Sequence, residues 1–102
     1  MATSAFDVVA EPSRREILDL LIDGPRPVGE LVHMTGLSQP NTSRHLRILR
    51  EAGLVERQAD GQRRLYALRK EGFGDLALWL APYVRLWRQG LGALERHLER
   101  ME

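Results

Sequence analysis

Apolar positions recur at two different periods along this chain, and each change of period marks an element. After Glu11-Pro12-Ser13, residues Ile17, Leu18, Leu20, Leu21 and Ile22 make a broad apolar face. Arg14, Arg15, Glu16 and Asp19 are left for water, which predicts a helix ended by Asp23-Gly24-Pro25. Val28, Leu31 and Val32 share one face of a two-turn helix over 27–34, and Thr35-Gly36-Leu37 reads as a tight turn. Next, Thr42, Leu46 and Leu49 fall in one stripe when wound at about 100° per residue. Ser38 is a strong N-cap, Pro40 stands in the first turn and Gly53 is a stop signal, so 38–53 reads as a helix. The period then falls to two. Val55 to Ala59 and Arg63 to Leu68 are predicted strands joined at Asp60-Gly61, and the second packs through Leu65, Tyr66 and Leu68. From Phe73 to Met101 the helical period returns, with Pro82 predicting a kink or short break near Ala81. At the start, Phe6, Val8, Val9 and Ala10 are too few for an independent helix and are expected to pack on another element.

A short helix, a glycine-containing turn and a longer helix form the helix-turn-helix signature. The hairpin after it has a flexible, net-basic tip, Asp60 to Arg64, which makes it a wing. The predicted fold is mainly α with a small β-hairpin (α+β), a winged helix-turn-helix. One domain over 1–102 is expected, with helix-turn-helix 27–53, wing 54–69 and dimerisation segments 1–10 and 73–101. The dimer expectation comes from the last helix. Leu76, Leu80, Tyr83, Trp87, Leu91, Leu94 and Leu98 follow at intervals of three or four, and Trp79 widens the stripe. So small a domain cannot cover that much apolar surface, so a two-fold interface joined by Phe6 and Val9 is expected.

The chemistry lies on the outer face of 38–53. Arg44 and Arg47 oppose the apolar stripe, with Asn41, Ser43 and His45 on the flanks. A helix entering the DNA major groove needs short polar groups and arginines in such an arrangement. Gln39, Asn41, Arg44 and His45 are the expected base-edge contacts. Ser38, Thr42, Ser43 and Arg47 are the expected phosphate contacts, although the wheel turns Thr42 inward. Arg63 and Arg64 of the wing would reach the flanking backbone or minor groove. Charge distribution agrees: 38–70 holds eight basic and three acidic residues, a net +5, leaving −4 for the rest of a chain whose total is +1.

Other classes find little support. No paired carboxylates, nucleophile–base set or phosphate loop is visible, so no enzyme is expected. The 102 residues include no cysteine, which excludes disulfides and thiolate metal sites and suits a cytoplasmic location. Met1 to Ala10 lacks the features of a signal peptide, and no stretch nears the roughly 20 apolar residues of a membrane span.

Leu37-Ser38-Gln39-Pro40, Ser43-Arg44-His45-Leu46, Leu49-Arg50-Glu51-Ala52-Gly53-Leu54-Val55 and the hairpin from Asp60 to Leu68 resemble the ArsR-type winged helix-turn-helix repressors of bacteria. The resemblance implies a homodimer that binds a pseudo-palindromic, double-stranded operator and represses transcription. Many such repressors release DNA on binding a metal. Here the positions of the arsenic-sensing thiolate pair fall near Pro27 and Gly29, which cannot ligate. Zinc sensors carry Asp-x-His and His-x-x-Glu on the last helix. The residue three after His97 is Arg100, and Val84 and Leu86 stand where the other ligands belong. No metal or other cofactor is therefore expected, and the aromatic last helix is similar to that of metal-independent members. Room remains for an unidentified small-molecule effector beside that helix. A second function class is a winged-helix protein-interaction module that uses the Trp79 and Trp87 helix to bind a different protein.

Overall fold

Short local bonds decide where the first helices start and stop in the computed structural model, which describes residues 4–101, the side chains of residues 93 and 94 excepted. Helix α1 (Ala5–Val9) opens at Ser4, whose hydroxyl accepts from the Asp7 amide at 3.2 Å. Five residues cannot hold a helix alone. Its last carbonyls are taken up by the next helix, α2 (Pro12–Leu20): Arg14 Nε donates to the Val8 carbonyl and Arg15 Nη1 to that of Val9, both at 2.8 Å. Glu11 caps α2 by accepting from the Arg14 amide. Ile17, Leu18 and Leu21 are buried, whereas Ile22 is 69% exposed, because it lies in the turn beyond the helix rather than on the predicted buried face.

Helix α3 (Val28–Thr35) ends at Gly36, which takes the left-handed conformation (φ +73°) that favours glycine. Thr35 holds the turn to the next helix: its hydroxyl donates to the Leu31 carbonyl at 2.8 Å and accepts from the Leu37 amide at 3.2 Å. Helix α4 (Gln39–Glu51) starts at the expected cap, Ser38 Oγ accepting from the Asn41 amide at 3.2 Å. It closes in a Schellman arrangement. The amides of Gly53 (φ +79°) and Leu54 donate to the carbonyls of Arg50 and Leu49, each at 3.0 Å.

Three strands form one antiparallel sheet in the order β1-β3-β2. Strands β2 (Val55–Asp60) and β3 (Arg63–Leu68) make the hairpin, joined by Gly61-Gln62 with Gly61 at φ +61°. The turn lies one residue beyond the predicted Asp60-Gly61, because Asp60 pairs with Arg63 as the last rung of the ladder. Strand β1 (Arg26–Pro27) pairs with Tyr66 and Leu65 and is not foreshadowed by any alternating pattern. It is two residues long and includes a proline, tolerable only at a sheet edge. The core lies where α1–α4 meet the sheet: Val8, Ile17, Leu21, Leu31, Leu46, Leu49 and Leu54 are all at most 2% exposed.

A 3-10 turn over Lys70–Phe73 leads into α5 (Gly74–Met101), one unbroken helix. Of the kink or short break predicted near Ala81, the break does not occur. Pro82 removes the hydrogen bond to the Leu78 carbonyl, but both residues are exposed and water can satisfy that carbonyl. Helix α5 packs on α1 and on the 3-10 turn, then runs past the body, which gives a molecule of 58 × 33 × 23 Å. None of the described helices is long and apolar enough to cross a membrane.

Gly72 is pressed against the end of α4: a Cβ at position 72 would fall on the Gly53 carbonyl. Gly72→Ala is therefore expected to cost about 1–3 kcal/mol of stability. Gly74→Ala is expected to be neutral or stabilising by up to ~1 kcal/mol, since nothing lies within 4 Å of a Cβ there and φ is a helical −57°. Thermal melts check the pair, and equal melting temperatures would contradict the close approach.

Candidate nucleic-acid interface

Helix α4 is divided lengthwise. Thr42, His45, Leu46 and Leu49, at helical spacings of three and four, are 0–6% exposed and face the core. Gln39, Asn41, Ser43, Arg44 and Arg47 are exposed on the other side. No hydrogen bond or ion pair among the described residues engages any of those five side chains. The outer face thus offers two amides, a hydroxyl and two guanidiniums, which between them supply donors and acceptors for base edges and cations for phosphates. Ser38 is exposed too, with its hydroxyl engaged in the cap.

Two of the ten predicted DNA contacts lie elsewhere. Thr42 is fully buried, its hydroxyl donating to the Ser38 carbonyl at 2.9 Å, so it braces the first turn instead of meeting phosphate. His45 is 6% exposed and cannot present its ring to a base edge. The wheel puts it on the flank of the apolar stripe, three after Thr42 and four before Leu49, and the buried face is wide enough to take it in.

The His45 ring faces the N-terminus of α2. Its Nδ1 is buried without a hydrogen-bond partner and lies 3.9 Å from Glu11 Oε2. Desolvation holds the imidazolium below its ordinary range. The Glu11 carboxylate pulls the other way, and the Arg44 and Arg14 guanidiniums add to the lowering. Glu11 itself lies below the usual carboxylate range. Its desolvation, which acts upward, is outweighed by the backbone N–H groups of Ser13 and Arg14 and by the charges of His45 and Arg14.

In the wing, Arg63 Nη2 bonds Asp60 Oδ2 at 2.8 Å across the turn, both side chains being more than half exposed. That pair holds one of the two predicted wing cations locally, while Arg64 is exposed and unpaired among the described residues. The sequence reading did not single out Arg50 and Arg57. Together with Arg47 they border an open cleft of about 480 Å3 between α4 and β2. The signal available in the sequence was strand alternation, which puts Arg57 on the same face as Val55, toward α4.

On α5, Trp79, Leu80, Tyr83, Trp87 and Leu98 are 45–64% exposed, while Leu76 and Leu91 are half-buried. Leu94 lies outside the described side chains. Phe6, 42% exposed, meets Trp79 edge-on at 5.8 Å, and Trp79 continues to Tyr83 at 5.1 Å. Val9 is half-buried against the core and borders the same apolar surface. One aromatic face therefore joins α1 to α5 and is left open to water. The described residues contain no group of three or more His, Asp or Glu arranged to hold a metal. Pro27 and Gly29, at the start of α3, offer no donor side chain.

Residues 11–57 match the arsR family of bacterial regulatory proteins. The transcriptional repressor SdpR of Bacillus subtilis is 31% identical over 79% of this chain and 90% of its own. The HTH-type transcriptional regulator Rv2034 of Mycobacterium tuberculosis is 37% identical over 85% of this chain and 78% of its own. Among solved structures, the homodimeric winged helix-turn-helix DNA-binding domain Mb0332 of Mycobacterium bovis superposes with a TM-score of 0.64 at 30% identity, covering 78% of this chain and 74% of that one.

The lowered His45 pKa sets a pH window. The unfolded chain, with an ordinary imidazole near 6.5, binds the proton more readily than the folded one, so stability falls as pH drops below that value. Glu11 acts lower, its contribution being lost only below the ordinary carboxylate value of 4.5. The melting temperature of the wild type is expected to decline from about pH 7 to about pH 5, and that of His45→Gln to decline less. Parallel declines would exclude His45 as the source.

Proposed function

The chain belongs to the ArsR family of bacterial regulatory proteins, and we propose that it acts as a homodimeric transcriptional repressor whose two α4 helices read the halves of a pseudo-palindromic operator. The observation that carries this reading is the divided helix α4. Its inner face is locked into the core, and its outer face leaves Gln39, Asn41, Ser43, Arg44 and Arg47 without partners among the described residues. Arg44 suits a guanine, through two parallel hydrogen bonds, and Gln39 or Asn41 an adenine. Ser43 and Arg47 suit phosphates, which position the protein without specifying sequence. Arg64 extends the contact through the wing, and Arg63 does so only while sharing its charge with Asp60.

The dimer is supported by the open aromatic face of Phe6, Trp79, Tyr83 and Trp87, and by the homodimeric state of the Mycobacterium bovis relative. A second copy laid along α5 would cover that face by two-fold symmetry and set the two α4 helices at a fixed separation. Domain use follows: 27–53 reads the major groove, 54–69 flanks it, and 1–10 with 73–101 hold the dimer. A family of DNA-binding regulators gives no ground for an enzymatic role, and we place the protein with its DNA in the cytoplasm.

Arg44→Ala is the sharpest test of base reading. It is expected to cost about 1–3 kcal/mol on the operator and to relax preference at one base position per half-site. Competition with singly substituted operators measures both. Equal loss of affinity on every sequence would reassign Arg44 to phosphate.

A further inference from the structure

Arg47, Arg50 and Arg57 come together from two elements, α4 and β2, around the open cleft of about 480 Å3. Glu51 and Glu56 border the same cleft, yet neither is within ion-pair distance of any of the three. The ion pairs among the described residues lie elsewhere, at Arg26–Glu30 and Arg63–Asp60. Guanidiniums that leave nearby carboxylates unused are available to an external anion. Arg50 has a local role as well, since a cation in the last turn favours the helix dipole. Arg57 lies on an exposed edge strand, and its side chain makes no ion pair among the described residues.

The cleft is not isolated. Arg47 is shared with the outer face of α4. Arg57 also borders a second, shallower recess of about 260 Å3, together with Gln58, Ala59 and Arg64. Guanidiniums thus follow one another from the helix, through Arg57, to the wing tip.

We propose that this row is a track for one strand of the DNA backbone. In it, Arg47, Arg50 and Arg57 take phosphodiester groups that pass between the reading helix and the wing. The inference rests on α4 entering the major groove. A strand leaving the groove beside α4 must then run past β2, where Arg57 bridges the two recesses. Arginine suits the task, because its planar fork can grip two phosphate oxygens at once. Arg57 would therefore add affinity without adding sequence preference.

The test is fluorescence anisotropy with duplex DNA from upstream of the chain's own gene and with a scrambled duplex, at salt from about 50 to about 200 mM. Arg57→Ala is expected to weaken binding to both duplexes by the same factor. Each phosphate contact contributes about 0.9 to the salt slope, so the loss should be about 3.5-fold larger at the low-salt end than at the high-salt end. Arg57→Lys keeps the charge and should keep the slope. An unchanged slope and affinity in Arg57→Ala would overturn the track, as would a loss confined to the gene's own duplex. A wild-type protein that fails to distinguish the two duplexes would instead overturn the reading on which the track rests.

Discussion

A single helix serves the core and the surface here, and the constraint that makes this workable is the locking of its inner face. Thr42, His45, Leu46 and Leu49 are immobilised between α2, α3 and the sheet, while both ends are tied by hydrogen bonds, at Ser38 and at Gly53-Leu54. The outer side chains can stay unpaired because the fold does not need them. Were α4 free to roll, Arg44 and Arg47 would lose any fixed relation to each other and to the wing. Reading a base edge requires that relation, because bidentate hydrogen bonds tolerate little misplacement.

The same logic extends outward. The Schellman end of α4 abuts Gly72, in the 3-10 turn just ahead of α5, so α4 and the segment that launches α5 touch through backbone. The Leu54 carbonyl accepting from the Arg69 amide at 2.9 Å ties the two further. A side chain at Gly72 would push these elements apart, and one at Gly53 would strain the left-handed turn that ends α4. In the proposed dimer, placement of α4 relative to the two-fold axis would depend on a contact with no side chains in it.

Much of this was legible in the sequence, because local signals dominate the parts concerned. Ser38, Gly36, Gly53 and Gly61 act through their own backbone or their nearest neighbours, and the helix ends fall close to where those residues place them. What was not legible depends on neighbours distant in sequence or on competition between local rules. His45 was placed on the flank of the helix, but the packing of another segment, with Glu11 facing the ring, takes it inside. Arg63 was counted as a free cation, but the register of the hairpin sets it opposite Asp60. Pro82 carried a helix-breaking signal that an exposed helix absorbs with the help of water. Strand β1 exists only because β3 offers an edge, which no pattern in Arg26-Pro27 announces. Arg57 gained meaning once β2 was seen beside α4.

The central claim is that the outer face of α4, presented twice by a dimer, reads DNA sequence. The most direct measurement is an anisotropy titration, carried to saturation, of the duplex from upstream of the chain's own gene against a scrambled duplex of equal length. The account predicts tight, selective binding of two chains per duplex, steeply weakened as salt rises from about 50 to about 200 mM. Weak binding, equal on both duplexes, would contradict it. The arginines of α4 and the wing would then supply charge alone, and the aromatic face of α5 would belong to a different protein partner.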